Sequence, residues 1–343
     1  MNWKITLLIV ASMLMLASCS NTNQTPVDMM VPYIGGNQAL DFSLQQGLPP
    51  AVVLDGARTT FGFGLIVNNV GEADVGAGTE NPFVRINLEG FKPSDFGTTA
   101  DQLEYEFEPE GVTLLGAHKN FDGTIIPGGL TSVVFEPLIY QQTLAGGSRL
   151  KTIRASACYD YANYATVQLC FKDNLIENAE DSTICTLTGE KGPQNSGGPL
   201  QITSVVQNPL DKYKIHVTFI LEHVGTGDVY GREPDEFCDP SPTNTNRYKP
   251  RIRLWSNDRD STDDDLIIDC PLLGGDNDGV LTMGLAGATT GATNTELVTC
   301  TIEVPDSEKE DAPRVFEDTL NFEIDYRYGQ FIDQPITIQS MGR

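Results

Sequence analysis

The sequence predicts an all-β protein organised as two tandem β-rich halves, and three observations predict it. Gly, Pro, Asn and Asp clusters punctuate short apolar runs throughout, and no long 3.6-residue period appears beyond the first nineteen residues. Two stretches alternate strictly between apolar and polar residues, the period of a half-buried strand. Ile153, Ala155, Ala157, Tyr159 and Tyr161 alternate with Thr152, Arg154, Ser156, Cys158 and Asp160. Leu320, Phe322, Ile324, Tyr326 and Tyr328 alternate with Asn321, Glu323, Asp325 and Arg327. The third observation is that these stretches belong to an internal repeat.

The repeat opens with Phe63 to Val75 against Val217 to Val229, at an offset of 154. Both segments are apolar strands that break at Val-Gly, with Asp-Val following: Val70-Gly71 before Asp74-Val75, and Val224-Gly225 before Asp228-Val229. The correspondence resumes at an offset near 168, where Gly111-Val112 and Gly116 match Gly279-Val280 and Gly284. Phe135-Glu136 matches Ile302-Glu303, and Tyr159-Asp160-Tyr161 matches Tyr326-Arg327-Tyr328. An insertion around Glu233 to Tyr248 accounts for the growing offset. The expected domains are therefore 39–190 and 200–343, joined by a linker at 191–199. About seven short strands per copy, separated by turn signals, favour an immunoglobulin-like β-sandwich for each. The Tyr-x-Tyr pairs suit a sandwich corner, with the ring buried and the hydroxyl reaching backbone.

The N-terminus points to export. Lys4 precedes a twelve-residue apolar run, Ile5 to Leu16, which is too short to span a bilayer and has the length of a signal h-region. It ends in Leu16-Ala17-Ser18-Cys19, which resembles the lipobox of prokaryotic lipoproteins. That resemblance implies removal of residues 1–18 and a lipid-bearing Cys19 as the mature N-terminus. Residues 19–38, rich in Asn, Thr and Pro, would form a flexible tether. The expected location is the extracytoplasmic side of a cell-envelope membrane, held through the lipid on Cys19. Several acyl chains hold a protein stably where one does not.

The chain carries 47 acidic and 22 basic residues; losing Lys4 with the signal leaves 21 − 47 = −26. Such a surface repels nucleic acid and anionic headgroups, so neither is an expected partner. An envelope or extracellular protein is the expected one.

A strand ending in Asn69-Val70-Gly71, a following strand at Phe83 to Leu88, and Pro49-Pro50 ahead of Phe61 are similar to a known pattern. It is that of the adhesion-type (CARDB-like) immunoglobulin-like domains of bacterial and archaeal surface proteins. The second copy departs from it, with His223 in place of Asn69. The resemblance implies a fold and a surface setting and transfers no active site.

Six cysteines remain after Cys19, an even number that in an exported chain suggests three disulfides. Cys158 and Cys170 align with Asp325 and Thr337, so the second copy lacks both, and a turn centred at Tyr164 would set them opposite each other on adjacent strands. Cys270 and Cys300 are both missing from the first copy. Elimination then leaves Cys185 with Cys238 as a staple between domains. The rival joins Cys170 to Cys185 and Cys158 to Cys238.

Candidates for chemistry are few. Asn195-Ser196-Gly197-Gly198-Pro199-Leu200 resembles the nucleophile segment of trypsin-like proteases. Asn195 stands where that family has Asp, and His118, 78 residues upstream, is too near for a double barrel. A linker turn explains the segment at lower cost. His216 and His223 lie seven apart in one strand, hence on opposite faces. The acidic loops holding Asp258, Asp260, Asp276 and Asp278 suit calcium better than any other cofactor, because calcium accepts several oxygens at flexible geometry. A solvated acidic loop in an acidic protein is the reading favoured over it, and no other cofactor is expected. The sequence thus points to a non-enzymatic structural, spacer or protein-binding role. A calcium-dependent adhesion module and an envelope enzyme with an unrecognised site are the alternatives.

Overall fold

The computed structural model describes residues 31–107, 111–172, 184–232, 237–241, 243–256, 266–283, 294–305 and 315–342. Its regular structure is all strand, apart from two single 3-10 turns at Pro93–Phe96 and Asp101–Leu103 among the described residues. Two 25-residue strands, Ser148–Lys172 and Val315–Gln339, run antiparallel along their full length without a register break. They form the centre of a nine-stranded sheet. Val84–Glu89 flanks the first central strand and Arg251–Ser256 flanks the second.

Directly opposed residues of an antiparallel pair project to the same face. Tyr159 faces Tyr328, Asp160 faces Arg327 and Tyr161 faces Tyr326. The four tyrosines therefore share an inner face, and the charged pair shares the outer one. A three-stranded sheet (Leu40–Leu44, Thr60–Asn69, Leu130–Ile139) covers the inner face at one end, where the Phe42 ring lies 6.2 Å from that of Tyr159. A five-stranded sheet built around Leu200–Asp211, Lys214–His223 and Thr295–Glu303 covers the other, where Phe219 lies 5.1 Å from Phe322. Alternation does the sorting: Lys214–His223 buries every second residue, Ile215, Val217, Phe219, Leu221 and His223.

The repeat reappears in the backbone bonding. Ala39 O accepts from Val70 N and Gly71 N, both at 2.9 Å; Pro199 O accepts from Val224 N at 2.8 Å and Gly225 N at 3.3 Å. Asn69 N donates to Gly129 O, and His223 N to Asn294 O, each at 2.9 Å. The Tyr161 hydroxyl accepts from Ala73 N at 3.2 Å, and the Tyr328 hydroxyl from Gly227 N at 2.6 Å. Pairing register moves one correspondence by two residues. Phe135 lies opposite Phe63 and Cys300 opposite Val217, so Phe135 is matched by Cys300, where the sequence comparison set Ile302.

Three features differ from the sequence reading. The tyrosine pairs sit in mid-strand at the centre of the sheet, where a sandwich corner was expected; the Tyr159, Tyr161 and Tyr328 hydroxyls do meet backbone N–H groups, whereas the Tyr326 hydroxyl bonds the Asn163 side chain. The segment 191–199 is not an open turn. Gln194–Asn195 pairs with the first central strand, and Ser196 to Leu200 are buried.

The cysteine pairing is the third. Cys158 bonds Cys238, Cys170 bonds Cys185, and Cys270 bonds Cys300. The expected Cys158–Cys170 and Cys185–Cys238 bonds are replaced by their rival. No turn interrupts the strand at Tyr164, so Cys158 and Cys170 stand twelve residues apart along one extended segment. That is roughly 40 Å at ~3.3 Å per residue, several times what a disulfide bridges. A staple between the halves does exist, and it uses Cys158.

Candidate functional site

The outer face of the central sheet holds a cleft of about 910 Å³, lined by Glu80, Gly231, Arg232, Thr245, Asn246, Lys249, Arg251, Arg253, Val280, Glu323 and Asp325. Strand parity builds its floor. Arg251 and Arg253 lie two apart on one strand and face Asp325 and Glu323 on the next. Arg253 Nη2 reaches Asp325 Oδ2 at 2.8 Å and Glu323 Oε2 at 3.1 Å. Arg251 donates two bonds of 2.5 Å to the Asp278 carboxylate.

Arg232 closes the wall between the halves. Its guanidinium donates to the Tyr161 carbonyl at 2.5 Å, the Tyr326 carbonyl at 3.2 Å, the Glu80 carbonyl at 3.2 Å and the Asn81 side-chain oxygen. It also lies 3.4 Å from Asp325 Oδ1. One side chain thus bonds both central strands and a loop of the first half, a task suited to the rigid donor fork of arginine. Deeper in the same face, Asp160 and Arg327 form a buried pair at 2.8 Å. Burial, together with the charges of Glu323, Glu80 and Asp325, pushes the Tyr164 phenol well above its ordinary value. Lys249 makes no ion pair with any described residue.

The Cys158–Cys238 bond straps the same face. Beside it the Arg85 guanidinium lies 3.6 Å from the centre of the Phe237 ring, which packs 5.9 Å from Phe83. Guanidinium-on-ring contacts of this kind are attractive, and more so when desolvated. Cationic and anionic groups alternate in the cleft and neutralise one another. The arrangement therefore suits a polar ligand surface that offers donors and acceptors together.

The sequence candidates fall elsewhere. Cys19, Asp258 and Asp260 lie outside the described residues. Asp276 is exposed on a turn, and Asp278 is already engaged by Arg251. Among the described residues no group of three or more His, Cys, Asp or Glu side chains could hold a metal ion. The Ser196 hydroxyl is fully buried; it accepts from Tyr164 N at 2.8 Å and lies 3.4 Å from Asn163 Nδ2. His118 is exposed on a separate hairpin and has no part in this site. His216 and His223 do lie on opposite faces. His223 is buried, its Nε2 lies 3.2 Å from the Tyr328 hydroxyl, and burial lowers its pKa. Sequence reasoning missed the cleft. The signal that could have found it is Arg251-x-Arg253 set against Glu323-x-Asp325, complementary charges at strand spacing.

No protein-family model matches the chain, and no curated protein matches it. One solved structure with a limited likeness is a serine-rich repeat adhesion glycoprotein from Streptococcus agalactiae. The match is 8% identical, covers 90% of this chain and 99% of that one, and has a TM-score of 0.16. At that score the likeness carries no argument about fold or function. Among the described residues no helix is long and apolar enough to cross a membrane.

Proposed function

We propose that the protein is a lipid-tethered, non-enzymatic element of the cell envelope, whose two halves are diverged copies of an immunoglobulin-like module. The halves are fused side by side into one stiff body that presents the outer-face cleft to an envelope or extracellular protein. The observation that carries the reading is the uninterrupted 25-residue pairing of the two central strands. Modules joined only by a linker move independently by default. Here the backbone ladder, the Asp160–Arg327 pair, the Arg232 fork and the Cys158–Cys238 bond all cross between the halves. Such a body transmits position without a hinge, which is what a spacer or a presented binding surface requires. The equivalent bonds at Ala39 and Pro199 support common descent of the halves.

The location rests on the sequence Leu16-Ala17-Ser18-Cys19. Cell fractionation of Cys19→Ala tests it: the variant should leave the membrane fraction or persist at full precursor length. A processed variant of wild-type mass that stays in the membrane would refute the anchor.

A further inference from the structure

We propose that the small hairpin formed by His118–Lys119 and Ile125–Ile126 seats its tip in the membrane surface that carries the lipid, so that the body lies against the bilayer at a fixed point. This rests on the reading of Cys19 as lipid-bearing.

Phe121, at the tip, is 97% exposed; the next most exposed large apolar residue described is Leu150, at 68%. On the same hairpin Ile125 is more than half exposed and Ile126 is 38% exposed. Single exposed apolar residues are ordinary, whereas a cluster on a protruding element marks a contact surface. The fold does not need the ring. The turn is shaped by Asn120 N to Thr124 O at 2.8 Å, Gly123 N to Asn120 O at 2.9 Å and Thr124 N to Asp122 Oδ1 at 2.9 Å.

Position identifies the occupant. Lys119 Nζ donates to Val31 O at 3.0 Å, so the hairpin abuts the point where the described chain begins. Only eleven residues, 20–30, lie between Cys19 and Val31, a reach of at most about 40 Å when fully extended. The apolar tip therefore belongs to the end of the body from which the lipid departs, and the anchor raises the local concentration of bilayer around it.

The repeat supplies an internal control. Gly116, which opens the hairpin segment, is matched by Gly284, and there the second copy reads Gly284-Leu285-Ala286-Gly287-Ala288-Thr289-Thr290-Gly291-Ala292-Thr293. That stretch of sequence has no aromatic residue, where the first copy has Phe121. The Thr124 N–H holds the Asp122 carboxyl below its usual range, so Asp122 stays ionised beside Phe121. Contact accordingly stops at the boundary between headgroups and acyl chains. The strongly acidic body would oppose attraction to anionic lipid, so the contact is apolar in origin.

The test uses the mature lipidated chain in phosphatidylcholine vesicles with brominated acyl chains. Trp3 leaves with the signal, so Trp255 is the sole tryptophan background. Emission from Phe121→Trp, after subtraction of the wild-type signal, should be blue-shifted and quenched at least two-fold relative to plain vesicles. A Leu150→Trp control should stay unquenched. Water-like, unquenched emission at position 121 overturns the proposal. So does a blue shift without bromine quenching, which would mean that the tether or a protein covers the tip. A wild-type chain that does not float with the vesicles removes the anchor reading and this one together; floating with an unquenched tip removes only the hairpin.

Discussion

The two halves close the same strand end with the same backbone bonds and different side chains. In the first, Asn69 donates its amide to Ala73 O at 2.8 Å and to Leu114 O at 3.0 Å, and accepts from Gly71 N at 3.2 Å. In the second, His223 occupies that place and meets the Tyr328 hydroxyl, while its Nδ1 has no hydrogen-bond partner among the described residues. Backbone geometry was held while the polar chemistry around it changed. The same holds on a larger scale. The central strands pair residue for residue, and the Cys238 strap joins the insertion of the second half to the first central strand. The shared backbone bonds at Ala39 and Pro199 give the two halves a common frame.

The largest expected effect separates the bond between the halves from the bonds within them. A disulfide stabilises chiefly by restricting the unfolded chain, and more so over longer loops. Sequence separations of 80, 30 and 15 correspond to about 4.5, 3.6 and 3.0 kcal/mol respectively. Denaturant unfolding should therefore rank Cys158→Ser/Cys238→Ser as the most destabilised double variant and Cys170→Ser/Cys185→Ser as the least. The reverse order would mean that the halves are not stapled.

Glycine gives a matched pair of intermediate size. A Cβ at Gly71 would collide with the Tyr161 hydroxyl, and one at Gly225 with the Tyr328 hydroxyl and the Pro199 ring. Gly71→Ala and Gly225→Ala should each cost about 2 kcal/mol, within the range for overpacked sites. A large effect in one half with none in the other would break the equivalence of the copies.

The smallest effect is a pH dependence confined to the second half. Burial lowers the His223 pKa below its ordinary 6.5, so the fold favours the neutral imidazole. The associated stability is present above pH 6.5 and is lost as pH falls through the folded-state value. His223→Asn, which copies the first half, should lose less melting temperature than wild type between pH 7.5 and pH 5. Equal losses would remove His223 as the source.

Much of the frame was legible in sequence, because period-two alternation from Thr152 to Tyr161 and from Leu320 to Tyr328 reports burial directly. The matching Val-Gly breaks at 70–71 and 224–225 were legible as a shared motif, and their backbone N–H groups bond Ala39 O and Pro199 O alike. The continuation of the first central strand past Tyr164 was not. Asn163, a residue of turns, is buried on the inner face beside the tyrosines, where it bonds Ser196, Leu200 N and the Tyr326 hydroxyl. Those tertiary partners override the local signal, and the disulfide pairing drawn from a turn there fails with it. The cleft was hidden because Glu80, Arg232 and Asp325 come from segments that only the pairing of the central strands brings together.

That pairing is the central claim, and the cysteines report on it most directly. Peptide mapping of the unreduced protein should return a Cys158–Cys238 peptide and a Cys170–Cys185 peptide, because a single extended strand keeps Cys158 and Cys170 apart. A Cys158–Cys170 peptide would require a turn at Tyr164, and the two halves could not then share a 25-residue ladder.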